Sequence, residues 1–178
     1  KDMDNLKQKY RIFGRTRARK KQKVDENLYN FLLTKYKVHQ VSDNCILDIG
    51  SGYGESSIFL SHTYPNNKIL SCDKYINGLF NLLKSIENNN ISNINIYDGN
   101  IFEILDSIKK KYYFDSIWVL FPDPWPKKKH YKRRLLSNDF FEKIYHYLNK
   151  DGKLYISTDS SSYFKFILKN LHKIKHLY

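Results

Sequence analysis

Four carboxylates lie at or just past the ends of short apolar runs: Asp48 in Cys45–Gly50, Asp73 in Lys68–Asp73, Asp123 after Phe114–Phe121, and Asp159 after Lys153–Thr158. Solvent exposure alone puts some acids at strand ends, but four on one rim of a basic chain point to a ligand. The first belongs to Asp48-Ile-Gly50-Ser-Gly52-Tyr-Gly54, a glycine loop that leaves a strand and opens a helix. Glycines let such a loop turn sharply and let a ligand approach the backbone. Asp73, closing the next strand, can accept hydrogen bonds from both hydroxyls of a ribose. NAD and S-adenosylmethionine both present a ribose there, and the loop separates them. A pyrophosphate resting on the helix N-terminus calls for GxGxxG. Here the third glycine comes one residue early, an acid precedes the first, and Glu55 opens the helix. These carboxylates repel a pyrophosphate and suit a ligand with an ammonium and a sulfonium, so the sequence favours S-adenosylmethionine over NAD. Asn100, after a third strand, stands where an amide could read an adenine edge or where a polar turn residue would serve.

A second constellation is Phe121-Pro-Asp-Pro-Trp-Pro126, followed at once by Lys127-Lys-Lys-His-Tyr-Lys-Arg-Arg134. Proline fixes φ, so the first half is a stiff loop that holds Asp123 and Trp125 in place. The basic half is either a solvated loop or, beside that stiff loop, a phosphate clamp that includes Lys127, Arg133 and Arg134.

The elements that must carry these residues alternate. Helical patterns over 26–37, 55–63, 76–89, 101–111 and 138–149 separate strands at 45–50, 68–73, 93–97, 114–121 and 153–158, and another helix comes after the last strand. Such alternation predicts βαβ units and an α/β, Rossmann-like, doubly wound and mostly parallel sheet with helices on both faces. Ligands of such sheets bind beyond the carboxyl ends of the strands, where the strand order reverses. Residues 1–24 are polar and basic and read as an arm, leaving residues 25–178 as the single domain.

Lysine and arginine outnumber aspartate and glutamate by 31 to 18, a net charge of +13. That excess suggests a polyanionic partner or an anionic membrane. No apolar stretch is long enough to span a membrane and no signal-peptide core is visible, so a cytoplasmic protein is expected. Cys45 and Cys72 sit in apolar runs as reduced core residues, and no Cys/His spacing suggests a metal. Monomer and homodimer both stay open.

The block Phe121–Arg134 resembles the signature of the bacterial tRNA (guanine-N7)-methyltransferases. Arg11-Ile-Phe-Gly-Arg15 is similar to that family's N-terminal arm, Asp48–Gly54 to its cofactor loop, and Thr158-Asp159 to a Thr-Asp pair ending its fifth strand. The resemblance implies a class I methyltransferase that uses S-adenosylmethionine to methylate N7 of a guanine in tRNA. It implies cofactor contacts at Asp48, Asp73, Asn100 and Asp123, with Gly50, Gly52 and Gly54 in the loop. It implies substrate contacts at Lys127 and Asp159, and Arg15 lies in the matching arm. Asn100 replaces the family's more usual Asp, and Asp48 its commoner Glu. The family continues into two further strands with a Thr-x-Tyr/Phe-Glu motif, so a C-terminally incomplete domain is expected. For such a reaction Asp123 and Asp159 are the candidates to grip the guanine and stabilise the charge it gains. Trp125 either stacks on a base or packs against its own prolines. Two rivals remain at this point: methylation of an exocyclic amino group, suggested by likeness to Asn/Asp-Pro-Pro-Tyr loops, and a catalytically silent RNA-binding protein.

Overall fold

A computed structural model describes residues 23–41, 43–108 and 113–174. The basic arm up to Gln22, with Arg15, and the C-terminal four residues lie outside the described residues. The chain runs α1 (Glu26–Tyr36), β1 (Cys45–Ile49), α2 (Glu55–Thr63), β2 (Lys68–Cys72), α3 (Ile76–Asn88), β3 (Ile94–Tyr97), α4 (Ile101–Ser107) and β4 (Phe114–Leu120). A 3-10 helix over Lys128–Arg133 comes next, then α5 (Asn138–Tyr145), β5 (Leu148–Ser157) and α6 (Ser161–Leu171).

The five strands pair in parallel in the order β3-β2-β1-β4-β5. Every residue of β1 is buried, as a strand covered on both faces requires. One face packs Ile46, Ile69 and Ile96 against Leu32, Leu60 and the Leu79/Leu82/Leu83/Ile86 stripe of α3. The spacing of that stripe is the helical repeat of three and four that the sequence shows. The opposite face packs Leu47, Leu70 and Ile117 against α4, α5 and α6, with Phe140, Phe141 and Tyr163 fully buried. Cys45 and Cys72 are buried and unbridged. Among the described residues no helix is long and apolar enough to cross a membrane.

The strand order reverses between β1 and β4. The loops after these two neighbouring strands are the glycine loop and the proline loop, so the fold puts both motifs at one crevice.

Three element boundaries differ by several residues from the sequence reading. The helix expected over 138–149 ends at Tyr145, and β5 starts at Leu148. Leu148 pairs with Phe114 but the next register partners are Lys153 and Ser116, so Asn149–Gly152 bulges out of the ladder. The bulge is set by β4: the Tyr147 carbonyl accepts from the Tyr113 and Phe114 amides, and Asn149 donates to Asp115. Likewise α4 ends at Ser107 rather than 111, its C-cap Ile108 turning to extended backbone.

Candidate active site

After Ile49 the chain passes through Gly50, Gly52 and Gly54 with φ of 76°, 55° and 87°, a region that costs glycine nothing. A Cβ on Gly54 would also lie 2.5 Å from Leu82 Cδ1. At Gly50 and Gly52 an added Cβ would meet nothing within 4 Å, so the loop keeps an open side. The sequence reading missed Gly78, inside α3. A Cβ there would fall 2.1 Å from the Gly52 carbonyl oxygen, so α3 and the loop meet backbone to backbone. A lone glycine in a helical stretch was the available signal.

Asp48 is 1% exposed, and its Oδ2 accepts from the Ser56 and Ser57 hydroxyls at 2.6 Å each. Burial pushes its carboxyl pKa up; the two serine bonds pull it back down, and the nearby Asp73 charge adds to the rise. Asp73 has a local task as well. Its Oδ2 accepts from the Gly52 amide at 2.7 Å, and its Oδ1 from the Lys74 and Tyr75 amides at 2.6 and 2.9 Å. A carboxylate has about four lone-pair sites, so capacity for a ligand remains. Beside it the Tyr53 and Tyr75 hydroxyls are 3.0 Å apart and bridge the β1 and β2 loops. Asn100 is fully buried and caps α4: its Oδ1 accepts from the Phe102 amide while Glu103 reaches back to its own amide. The reciprocal pattern is a capping box. Its polar-turn role is therefore present in the structure, and any contact to a base would have to share it.

The proline loop after β4 is built differently. Phe121 and Trp125 have φ of 50° and 41°, a left-handed conformation that bulky residues rarely adopt. Strain of this kind costs on the order of 1–3 kcal/mol per residue and clusters at functional sites. Asp123 stands half-buried between them. Trp125 packs neither on a free surface nor on its prolines alone. Its ring meets His130 edge-on at 5.8 Å and lies 5.0 Å from the Arg133 guanidinium carbon, and its buried indole N–H has no hydrogen-bond partner.

The basic run is not an open loop. Lys128–Arg133 forms the 3-10 helix, which leaves Lys127, Lys128, Lys129 and Lys132 exposed. Loss of hydration and the Arg133, Lys129 and Lys127 charges hold His130 below the usual imidazole pKa. Arg134 corrects the expectation of a phosphate contact. It is 3% exposed, and its guanidinium donates to the Pro124 carbonyl at 2.8 Å and to the Ser162 carbonyl and hydroxyl at 3.2 and 3.0 Å. A buried guanidinium committed to internal oxygens cannot meet a backbone phosphate without opening the core. Asp159 is exposed between β5 and α6, just before Ser160 caps that helix.

The structure thus carries Asp48, Asp73, Asp123 and Asp159 on the carboxyl rim, with Lys127 and Arg133 beside it. Arg134 goes into the core, and Asn100 into a helix cap. An open-sided glycine loop flanked by two acids, adjoining a strained loop that presents a third, can cradle a cationic ligand and hold an acceptor against it.

A family model described as "Putative methyltransferase" matches residues 42–178. The tRNA (guanine-N(7)-)-methyltransferase of Neorickettsia sennetsu is 30% identical over 158 residues, 88% of this chain and 72% of that protein. The chain belongs to this methyltransferase family. The enzyme of the same name from Mesomycoplasma hyopneumoniae is 38% identical over 131 residues, 74% of this chain. The chain spans 64% of that relative's length. Among solved structures, the precorrin-6y C5,15-methyltransferase of Geobacter metallireducens superposes with a TM-score of 0.59 at 16% identity, covering 88% of this chain and 74% of that one. That likeness confirms the Rossmann-like α/β fold of the family member.

Proposed function

We propose that this chain transfers a methyl group from S-adenosylmethionine to N7 of a guanine in tRNA, acting in the cytoplasm. The observation that carries the reading is the strained Asp123–Trp125 loop set beside an open-sided glycine loop, in a chain of this family. The residues fit the cofactor: Gly50 and Gly52 leave a cradle with nothing within 4 Å of an added Cβ, and Asp48 and Asp73 supply the acids. Asp73 would hold the ribose and the Gly50–Gly54 backbone would line the cradle, while Asp48, buried and bonded to Ser56 and Ser57, would act on the cationic end of the ligand through its charge from behind the loop. Asn100 would approach the adenine. Bound there, S-adenosylmethionine would supply an electrophilic methyl on a sulfonium.

Guanine N7 carries an in-plane lone pair that is unprotonated at neutral pH, so the chain need supply no general base. Its task is placement: an acceptor held in line at about 3–3.5 Å gains most of what orientation can give. The ring becomes cationic on methylation, and Asp123 and Asp159 would grip it and stabilise that charge. Lys127 and Arg133, with Arg15 of the arm, would hold tRNA phosphates.

The test is incubation with labelled methyl donor and unmodified tRNA, followed by nucleoside mass analysis. 7-Methylguanosine is the expected product. N2- or N6-methylated nucleosides would transfer the reading to amino methylation. An unlabelled tRNA with no heat of cofactor binding would leave a silent RNA binder.

A further inference from the structure

The Arg134 fork reaches across from one half of the reaction rim to the other. Nε donates to the carbonyl of Pro124, the residue between Asp123 and Trp125. Nη1 and Nη2 donate to the carbonyl and hydroxyl of Ser162, in the first turn of α6 and three residues beyond Asp159. We infer that Arg134 is a positioning residue which fixes the Asp123 loop relative to the Asp159 turn, and so sets the spacing of the two acids for guanine. This rests on the proposed methyl transfer, and extends it to a residue that touches neither substrate nor cofactor.

The surroundings make the fork rigid. The guanidinium carbon lies 3.7 Å from the centre of the Tyr131 ring, with Tyr163 and Phe166 at 4.9 and 5.0 Å, an aromatic box that orients the plane. Tyr163 is itself held, its hydroxyl accepting from the Leu136 amide at 3.0 Å. That bond ties the segment carrying Arg134 to the helix carrying Ser162. Charges from both ends meet on the Tyr163 phenol. Burial pushes its pKa up to about 12, the Arg134 charge lowers it, and the Asp123 charge raises it.

The anchor point is also chosen by the chemistry of the loop. Pro124 has no amide hydrogen, so its carbonyl is the one backbone polar group it offers. It lies between the two strained residues, Phe121 and Trp125. Strained conformations persist where surrounding contacts over-determine them. A bond to the middle of the loop from a fully packed guanidinium is such a contact. All three bonds go to neutral oxygens, so charge alone does not reproduce them; the planar fork is required.

Arg134→Lys keeps the charge and much of the volume but loses the fork. Under the inference, its turnover at saturating cofactor and tRNA falls about tenfold to a hundredfold, the scale of a small misplacement of reacting groups. Its dissociation constants for cofactor and tRNA stay within about twofold, because the glycine loop and exposed lysines are untouched. Hydrogen exchange speeds up at the hydrogen-bonded amides that frame the loop, Phe121 on the Ser157 carbonyl and His130 on the Lys127 carbonyl, while β1 and β2 keep their protection. Ser162→Ala, an exposed position that removes only the hydroxyl acceptor, shifts both readouts the same way by less. Wild-type turnover, or unchanged exchange in that loop, overturns the inference. So does a turnover loss matched by equal loss of cofactor affinity, which marks Arg134 as ordinary core. If the wild-type chain makes no 7-methylguanosine, the methyl-transfer reading fails, and loop exchange alone decides whether the fork holds the loop.

Discussion

The glycine loop after β1 and the proline loop after β4 leave neighbouring strands, yet they are held by opposite means. In the first, each left-handed residue is a glycine, and the anchors Ser56, Ser57 and Asp73 lie on the elements that immediately follow. In the second, Phe121 and Trp125 are forced into the same backbone region, and the hydrogen bond to the loop's centre comes from Arg134, ten residues along the chain. Arg134 is in turn held by Ser162, twenty-eight residues further on. The left-handed turns of the cofactor side are therefore eased by residue type, while those of the reaction side fall on bulky residues and are held by packing. Changes on the first should show in ligand affinity, and changes on the second in turnover.

The sharpest way to break that division is Asp123→Ala. The half-buried carboxylate sits at the mouth of the sheet and not in its core, so the fold and tRNA binding should survive. Turnover should fall by roughly a hundredfold or more if the carboxylate stabilises the charge on the guanine. A wild-type rate at saturating cofactor would remove Asp123 from the site.

Next in size comes Asp73→Ala on the cofactor side. Loss of one or two charge-assisted ribose bonds weakens S-adenosylmethionine binding by about tenfold to several hundredfold. Because Asp73 also pins the Gly52 amide, exchange at that amide should rise in the cofactor-free protein. Affinity that barely moves while the amide loosens would reduce Asp73 to a loop anchor.

The same contrast explains what could be seen in the sequence. Strands such as Cys45–Ile49 and the α3 stripe are written in local apolar patterns, and the glycine loop in residue types, so the parallel sheet was legible, while the strand order that puts the switch point between β1 and β4 depends on packing. The end of α5 was not, because the Asn149–Gly152 bulge depends on contacts with Phe114 and Asp115 some thirty-four residues away. Gly78 was hidden for the same kind of reason: its need is the Gly52 carbonyl, which only packing brings near. Arg134 looked like the last of a run of cations. The clue was the apolar pair next to it, Leu135-Leu136, where the charged stretch meets the core. Pattern shows that a run is basic; burial decides which member leaves it.

A smaller effect, with a definite sign, belongs to Asp48. Its pKa is raised in the folded protein by burial, so the folded state binds its proton more tightly than the unfolded chain does. Stability from this group is therefore fully present below the ordinary carboxylate pKa and declines as the pH climbs through the raised value. Asp48→Asn keeps an oxygen for the Ser56 and Ser57 hydroxyls without the buried charge. In cofactor-free protein it should raise the urea midpoint at neutral pH, with the gain disappearing in acid, while cofactor affinity falls. A variant that is less stable than wild type at neutral pH would show that the carboxylate is compensated by a partner beyond the two serines.

The smallest effect separates the exposed cations from the buried one. Lys127 is exposed at the start of the 3-10 helix, and Arg134 is buried just past its end. If Lys127 meets a tRNA phosphate, Lys127→Ala releases one condensed counterion fewer on binding. The slope of log affinity against log salt should then flatten by about 0.7–0.9. Arg134→Gln, which removes the charge, should leave that slope where it is, since the buried guanidinium reaches no phosphate. The pair measures electrostatic contact apart from catalysis, because binding can be titrated without methyl donor. Equal flattening by both variants would mean that the core around Tyr131 and Tyr163 opens on tRNA, and that the division between a packed fork and a solvated basic face does not hold in the complex. No flattening by Lys127→Ala would move the phosphate contact to Lys128, Lys129 or Lys132, which are exposed on the same 3-10 helix.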